Sequence, residues 1–160
     1  MLAHETGHRT GAVRHLRWSD IDLEGRTIRR RADHEKTSYE HRTPVTDEAV
    51  AALEEARSRA TELGEAPVLP AAKDASRGVS RWLLHHRWET AEQLAGLEPK
   101  RGRGWHSLRR KFASNLMDQP LKALCELGGW KDAQTVLRYY QRADEGQLRQ
   151  VLTNRRRVRT

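Results

Sequence analysis

The sequence predicts an α+β fold that is mainly α-helical, with a small antiparallel sheet of two or three strands near the N-terminus. The short segments IDLEGRTIRRRA (21–32) and HRTPVT (41–46) are separated by a polar stretch and contain turn residues, which is typical of hairpin strands. Most of the remaining chain has apolar residues at helical spacing and helix-capping residues. A chain of 160 residues can bury the core of one domain without disulfides.

The N-terminal half places this sheet among helical segments. Residues 1–19 carry apolar residues at rough helical spacing, and Lys36 lies in the last predicted hairpin. A helix is predicted over residues 46–64, because Thr46 is a suitable N-cap and acidic residues occupy the first turn. We expect a loop over residues 66–78.

The C-terminal half is predicted to be helical, apart from a basic linker over residues 97–104. Its first helix covers residues 76–96. Four further helices are predicted over residues 106–118, 120–127, 132–141 and 144–152, with a turn at Gly128-Gly129. The final segment, NRRRVRT, is a charge run of the kind that forms disordered basic tails.

Charge and cysteine content limit the classes of partner and compartment. The chain has 30 Lys and Arg residues against 22 Asp and Glu residues, a formal net charge of +8, which favours a polyanionic partner such as nucleic acid. Cys125 is the single cysteine, so no internal disulfide can form and a reducing compartment is expected. The N-terminus has no apolar run that would make a signal peptide, and no segment is apolar enough to span a membrane.

The motif HETGH, from His4 to His8, matches the H-E-x-x-H pattern of zinc hydrolases. That chemistry requires a helix that presents both imidazoles one turn apart, with the glutamate as base. Gly7 lies inside the motif and costs about 1 kcal/mol in a helix interior. A zinc hydrolase is therefore the remote alternative, and we expect no metal site.

The segment HSLRR carries two polar residues on one predicted helix face. His106 and Arg109 are three residues apart, whereas Leu108, Phe112 and Leu116 form a stripe on the opposite side. Arginine binds phosphate with two parallel hydrogen bonds, and histidine transfers protons near neutral pH. A solvated polar face explains the same pattern, so these two residues alone do not identify a site.

Five segments in one order carry a more specific signal. They are TGHR (6–9), LRWSDIDLEGRTIRRR (16–31), KTSYEHRTPVTDEAV (36–50), HSLRR (106–110) and LGGWKDAQTVLRYY (127–140). Together they resemble the catalytic domain of tyrosine recombinases, the phage integrase family. The resemblance covers about residues 3–152 and implies that family's catalytic-domain fold.

The resemblance implies a catalytic site made of residues from four of these segments. Its members are Arg9, Lys36, His106, Arg109, Trp130 and Tyr139. Trp130 occupies the position that most relatives fill with histidine, and Tyr139 follows it by nine residues, at the position of the nucleophile. Neighbouring helix residues point about 100° apart, so Tyr140 is expected to be a structural neighbour.

These residue types suit phosphodiester exchange without a metal. Tyr139 would attack the scissile phosphorus, which gives a 3′-phosphotyrosine and a free 5′-hydroxyl. Arg9, Arg109 and the indole N–H of Trp130 would bind the non-bridging oxygens. Lys36 would protonate the departing 5′-oxygen, with His106 assisting.

The remaining implications concern cofactors, partners and location. A phosphotyrosyl bond conserves the energy of the diester, so no ATP is needed, and the sequence contains neither a P-loop nor a carboxylate cluster for Mg²⁺. No cofactor is expected. The expected partner is double-stranded DNA, with self-association into the synaptic tetramer of the family, in the cytoplasm at the nucleoid.

The domain assignment leaves two alternatives open. Residues 1–152 are expected to form the catalytic domain, incomplete at its N-terminus and without the core-binding domain of relatives, and residues 153–160 to form a basic tail. Such a chain could be an inactive integrase remnant. A binding-only protein would instead use residues 120–140 as a helix-turn-helix, with residues 132–141 as the recognition helix.

Overall fold

The computed structural model describes residues 1–34, 40–140 and 145–157. The predicted small antiparallel sheet is confirmed and has three strands in the order β1-β2-β3. These strands are β1 (Ile21–Asp22), β2 (Thr27–Arg30) and β3 (His41–Pro44). Ile28 pairs with Thr43, and both side chains are buried on the inner face of the sheet. Lys36, predicted in the hairpin between β2 and β3, lies outside the described residues.

The N-terminal segment is broken where the sequence predicted helical spacing over residues 1–19. It forms α1 (Leu2–Glu5), α2 (Thr10–Arg14) and a 3₁₀ turn at Trp18–Asp20. Gly7 separates the two helices and has a φ of +62°, a conformation that favours glycine. A Cβ atom at Gly7 would lie 2.3 Å from the ring of Phe112, so the backbone turns against that ring.

Helix α3 (Asp47–Ser58) begins where the sequence predicted. The hydroxyl oxygen of Thr46 accepts a hydrogen bond from the amide of Ala49 at 3.3 Å, which is the expected N-cap. The helix ends six residues before Gly64, the residue predicted to end it. Leu53 on this helix joins the apolar core that covers the sheet, which contains Leu16, Trp18, Ile28, Leu53 and Val68.

A second hairpin occupies the segment that was predicted to be a loop. Strands β4 (Pro70–Ala71) and β5 (Asp74–Gly78) pair antiparallel. Four of the five residues of β5 are exposed, so the strand lacks the alternation of apolar and polar residues by which a strand is recognised in sequence. Helix α4 (Arg81–Leu94) consequently begins at residue 81 rather than 76, where Ser80 caps it by accepting from the amide of Leu83.

The C-terminal third is helical, as predicted. It contains α5 (Trp105–Asn115), α6 (Leu121–Gly128), α7 (Ala133–Tyr139) and α8 (Glu145–Arg157). Helix α8 continues five residues past the predicted end at 152, so the first part of the predicted basic tail is helical. A second apolar core joins α5, α6 and α7 through Ala113, Leu124, Trp130 and Val136.

The two halves meet along one seam. Helix α1 packs against α5, and α6 packs against β3. The turn after α1 therefore lies beside the first turns of α5 and the end of α6. None of the helices in the described part of the chain is both long and apolar enough to cross a membrane.

Candidate active site

A basic cleft opens along this seam. It has a volume of about 960 Å³ and lies between the turn that follows α1, the N-terminal half of α4 and the start of α5. Five arginines and His106 line it, and its described lining residues include no carboxylate. The arginines are Arg9, Arg14, Arg81, Arg103 and Arg109. A cleft of this charge attracts a polyanion.

Arg109 connects the segments that meet at the cleft. It lies on α5, is 1% exposed, and its Nη1 donates hydrogen bonds to the backbone carbonyls of Gly7 and Gly128. These two carbonyls belong to the turn after α1 and to the end of α6. One guanidinium thus joins three segments that are far apart in sequence. Its central carbon also lies 3.7 Å from the centroid of the Trp130 ring, a cation–π contact.

Arg9 also lines this cleft. It is the N-cap residue of α2, so its backbone is extended and its side chain leaves the helix at the first turn. Its Nη1 is buried and makes no hydrogen bond to any described residue. A buried guanidinium N–H without an acceptor is costly, and an anionic ligand would satisfy it.

His106 lies in the first turn of α5, and its Nε2 is 2.9 Å from the hydroxyl oxygen of Tyr140. The pKa of His106 is lowered from its ordinary value, first because its ring is partly withdrawn from water. The positive charges of Arg109, Arg110 and Arg9 lower it further. The imidazole is accordingly neutral near pH 7, and a neutral imidazole can accept a proton.

Trp130 is buried between Arg109 and two aromatic rings. Its indole ring is 6.5 Å from the ring of Phe112 and 5.1 Å from the ring of Tyr140, centroid to centroid. The indole N–H is buried and has no acceptor among the described residues. Gly128 makes room for the indole, because a Cβ atom there would lie 1.7 Å from the ring.

The two adjacent tyrosines have different surroundings. Tyr139 is 60% exposed, and its ring lies 5.3 Å from the guanidinium carbon of Arg138. Tyr140 is half-buried and contacts His106, Arg109 and Trp130.

The structure therefore brings together four of the six residues predicted for the site. They are Arg9, His106, Arg109 and Trp130. Tyr139 stands outside this cluster, and Lys36 lies outside the described residues. Tyr140, which the sequence predicts to be a structural neighbour, contacts this cluster, because Tyr140 and the buried Val136 are four residues apart and share one helix face.

The HETGH segment does not have the geometry of a zinc site. Helix α1 ends at Glu5, and the Nδ1 of His4 is hydrogen-bonded to that neighbouring carboxylate at 2.7 Å. His8 follows the left-handed Gly7 and is buried, with its Nε2 3.3 Å from the hydroxyl of Thr43. The two imidazoles are thus not presented one turn apart on a helix. Among the described residues no group of side chains could hold a metal ion.

The sequence matches the model of the phage integrase family over residues 1–146. This chain belongs to the phage integrase family. The match extends from the first residue of the chain to the start of α8. No curated protein matches the chain at a significant level.

Solved structures of tyrosine recombinases share its fold. The crystal structure of the XerA recombinase is 20% identical, with a TM-score of 0.76 over 97% of this chain and 54% of that one. The Tn1549 transposon integrase in complex with a circular intermediate DNA is 16% identical, with a TM-score of 0.74 over 96% of this chain and 56% of that one. The XerH recombinase in a post-cleavage complex with a palindromic difH substrate is 21% identical, with a TM-score of 0.73 over 95% and 43%. This phage integrase family chain thus spans about half the length of the structures it matches.

Proposed function

We propose that this chain cleaves and rejoins DNA strands through a 3′-phosphotyrosyl intermediate, as the catalytic domain of a site-specific recombinase. The observation that carries the proposal is the cluster of His106, Arg109, Trp130 and a tyrosine hydroxyl at one end of a basic cleft. Membership of the phage integrase family supports it. Residues 1–152 form the catalytic domain, and residues 153–160 are its basic tail.

The cleft suits a phosphodiester because Arg9 and Arg109 are close enough to His106, the partner of the tyrosine hydroxyl, to lower its pKa. Arg9 lines the cleft, and its buried Nη1 lacks an acceptor among the described residues. The guanidinium of Arg109 lies against the rings of Trp130 and Tyr140. Two guanidinium groups and the indole N–H of Trp130 are donors for the charge that grows on the non-bridging oxygens in the transition state. Lys36 is the proton donor for the departing 5′-oxygen, as the resemblance to the family implies.

DNA is the substrate, and several copies of the chain act together on it. Strand exchange joins the end of one cleaved strand to another cleaved strand, so at least two active sites must hold phosphotyrosyl bonds at the same time. Structures with the same fold were solved on DNA, and one of them, lambda integrase, is a dimer bound to a core site. A tetramer on two duplexes, at the nucleoid, satisfies this requirement.

A covalent adduct is the decisive test. The chain would be incubated with a randomised pool of nicked duplexes, in which cleavage near the nick releases a short strand that diffuses away and leaves the protein attached. Adducts that survive denaturation in detergent, with the protein on a 3′ phosphate, are the expected result. DNA binding without any adduct would contradict the proposal and favour the helix-turn-helix alternative.

The structure offers little support for that binding-only alternative. Helix α7, its recognition helix, is seven residues long and ends beside the cleft. The Gly128-Gly129 turn has another explanation, because the Trp130 ring leaves no room for a Cβ at Gly128, and Gly129 has a φ of +62°. The turn thus serves to place Trp130 against Arg109.

A further inference from the structure

We propose that Tyr140, and not Tyr139, is the nucleophile, and that His106 accepts its proton. The inference rests on the proposed function, because it names which residue performs the cleavage. It reverses the assignment that the spacing from Trp130 predicts. Four contacts of the two tyrosine side chains support it.

The first is the hydrogen bond between Tyr140 and His106. The hydroxyl oxygen of Tyr140 lies 2.9 Å from the Nε2 of His106, within the distance at which a base activates a nucleophile. The two rings are 5.5 Å apart and inclined by 58°, so the hydroxyl meets the imidazole at the edge that carries Nε2. Residues 34 positions apart in the chain are thereby brought into a nucleophile–base arrangement.

The second and third contacts place the Tyr140 ring beside Arg109 and Trp130. The guanidinium carbon of Arg109 lies 5.6 Å from its centroid, and the Trp130 ring meets it edge-on at 5.1 Å. These cation–π and edge-on aromatic contacts hold the Tyr140 ring beside the guanidinium that is proposed to bind the phosphate. The same guanidinium is anchored by the carbonyls of Gly7 and Gly128, so its position is independent of the ligand.

The fourth contact belongs to Tyr139 and involves no residue that lines the cleft. Its ring lies beside Arg138, its neighbour in the chain, and the side chain is 60% exposed. Adjacent helix residues point about 100° apart. Moving Tyr139 to the position of Tyr140 would require a rotation of the end of α7 by about that angle. Val136 on the same helix is fully buried in the second core, and this rotation would withdraw it.

The chemical step balances without a further reactant. The hydroxyl oxygen of Tyr140 forms a bond to the scissile phosphorus as its proton passes to the Nε2 of His106. The bond between phosphorus and the 5′-oxygen breaks, and that oxygen takes a proton from Lys36, the donor of the proposed function. The reverse sequence, with the 5′-hydroxyl of a new strand, restores the diester and the tyrosine.

Two matched variants test the assignment. In the assay on the nicked random pool, Tyr140→Phe is expected to abolish the adduct, because the attacking oxygen is absent. Tyr139→Phe should retain adduct formation within about tenfold, since it removes a hydroxyl from a largely exposed side chain that touches only Arg138 among these residues. Trypsin releases both residues in the peptide YYQR (139–142), and fragmentation mass spectrometry of the adduct shows which ring carries the phosphate.

The outcomes separate this inference from the proposed function. An adduct on Tyr139, lost in Tyr139→Phe and retained in Tyr140→Phe, would overturn the inference and leave the proposed function intact. Absence of any adduct from the unsubstituted chain would overturn both.

A measurement that needs no activity complements the assay. The chain has three tyrosines, so labelling each ring with ¹³C at Cζ gives three signals, which the Phe variants assign. The Tyr140 signal should shift with pH as His106 titrates, and His106→Ala should remove that shift. If instead the Tyr139 signal follows this titration, the hydrogen bond that carries the inference does not exist in solution.

Discussion

The arginines beside the three-stranded sheet and those of the cleft differ in their partners. On the sheet side, Arg31 donates to Asp20 at 2.7 Å and also to Glu65, and Arg29 donates to Glu40. The pKa of Glu65 is lowered to about 2, mainly because its carboxylate accepts a hydrogen bond from Ser19 and further ones from Arg31 and Arg17. Each of these guanidinium groups thus has a carboxylate of the chain itself as its partner.

In the cleft the partners are mostly backbone carbonyls. Arg109 donates to two glycine carbonyls, and Arg14 donates to the carbonyl of Val79 at 3.1 Å. Arg103 is the exception, since it is paired with Glu92. A carbonyl orients a guanidinium without cancelling its charge, whereas a carboxylate cancels it. The comparison teaches that this chain compensates Arg29 and Arg31 beside its sheet with carboxylates and leaves positive charge where a phosphate is proposed to bind.

The largest effect is expected for Arg109→Ala, because Arg109 both joins segments of the fold and is proposed to bind the phosphate. Two hydrogen bonds from a charged donor are lost, and their acceptors stay buried, so the free energy of unfolding should fall by about 3 kcal/mol. Adduct formation should disappear as well. Thermal unfolding measures the first effect, and Lys111→Ala, at an exposed position on the same helix, is the control.

Arg9→Ala should lower the rate of adduct formation but leave the free energy of unfolding nearly unchanged. Loss of one donor to the transition state typically lowers the rate by about 10²–10³-fold. The free energy of unfolding should change little, because Arg9 Nη1 has no acceptor among the described residues. Arg17→Ala, which removes an arginine paired with Glu65 on the sheet side, should leave the adduct rate unchanged. Equal effects of the two substitutions on the rate would invalidate the comparison.

Asp20→Asn should lower the free energy of unfolding but leave adduct formation unchanged. Asp20 is 3% exposed, and its carboxylate accepts from Arg31 and from the backbone amide of Arg17. Weakening these bonds should lower the free energy of unfolding by about 1–3 kcal/mol, with no change in adduct formed per folded molecule. Asp47→Asn, in an exposed pair with Arg26, should cost less than about 1 kcal/mol. Denaturant titration distinguishes the two.

The smallest effect concerns the pH dependence of the adduct. Facing His106 are Arg109 and Arg110 from its own helix, Arg9 from the N-terminus of α2 and Tyr140 from the end of α7. Because the folded-state pKa of His106 is lowered from 6.5, the imidazole remains neutral as the pH falls to that value. Adduct formation should thus decline only below pH 6.5. His106→Gln should be slower at all pH values and lack this decline. An unchanged decline in the variant would assign it to another group.

Several elements could be predicted because their signals are local. Thr46 caps α3 as its position before an acidic turn suggests, and the strands β2 and β3 follow from their composition and from the polar stretch between them. The spacing of His106 and Arg109 placed both on one helix, where the structure has them on α5. Hydrogen bonds within one turn or one hairpin need only neighbouring residues.

The elements that were missed depend on partners distant in sequence. The exposed hairpin β4–β5 has no apolar alternation, so composition predicts a loop there. The break after α1 requires the ring of Phe112 against Gly7, and no pattern within residues 1–19 indicates that contact.

By itself, the sequence of this chain determined its fold class, its positive charge and its family. Only the tertiary structure decided which of two adjacent tyrosines meets His106. Spacing along a helix determines the angle between Tyr139 and Tyr140, about 100°. It does not determine which of them faces the cleft, because that depends on the face of α7 that packs on α5 and α6. Val136 in the shared core orients that face, and Tyr140 follows it toward His106.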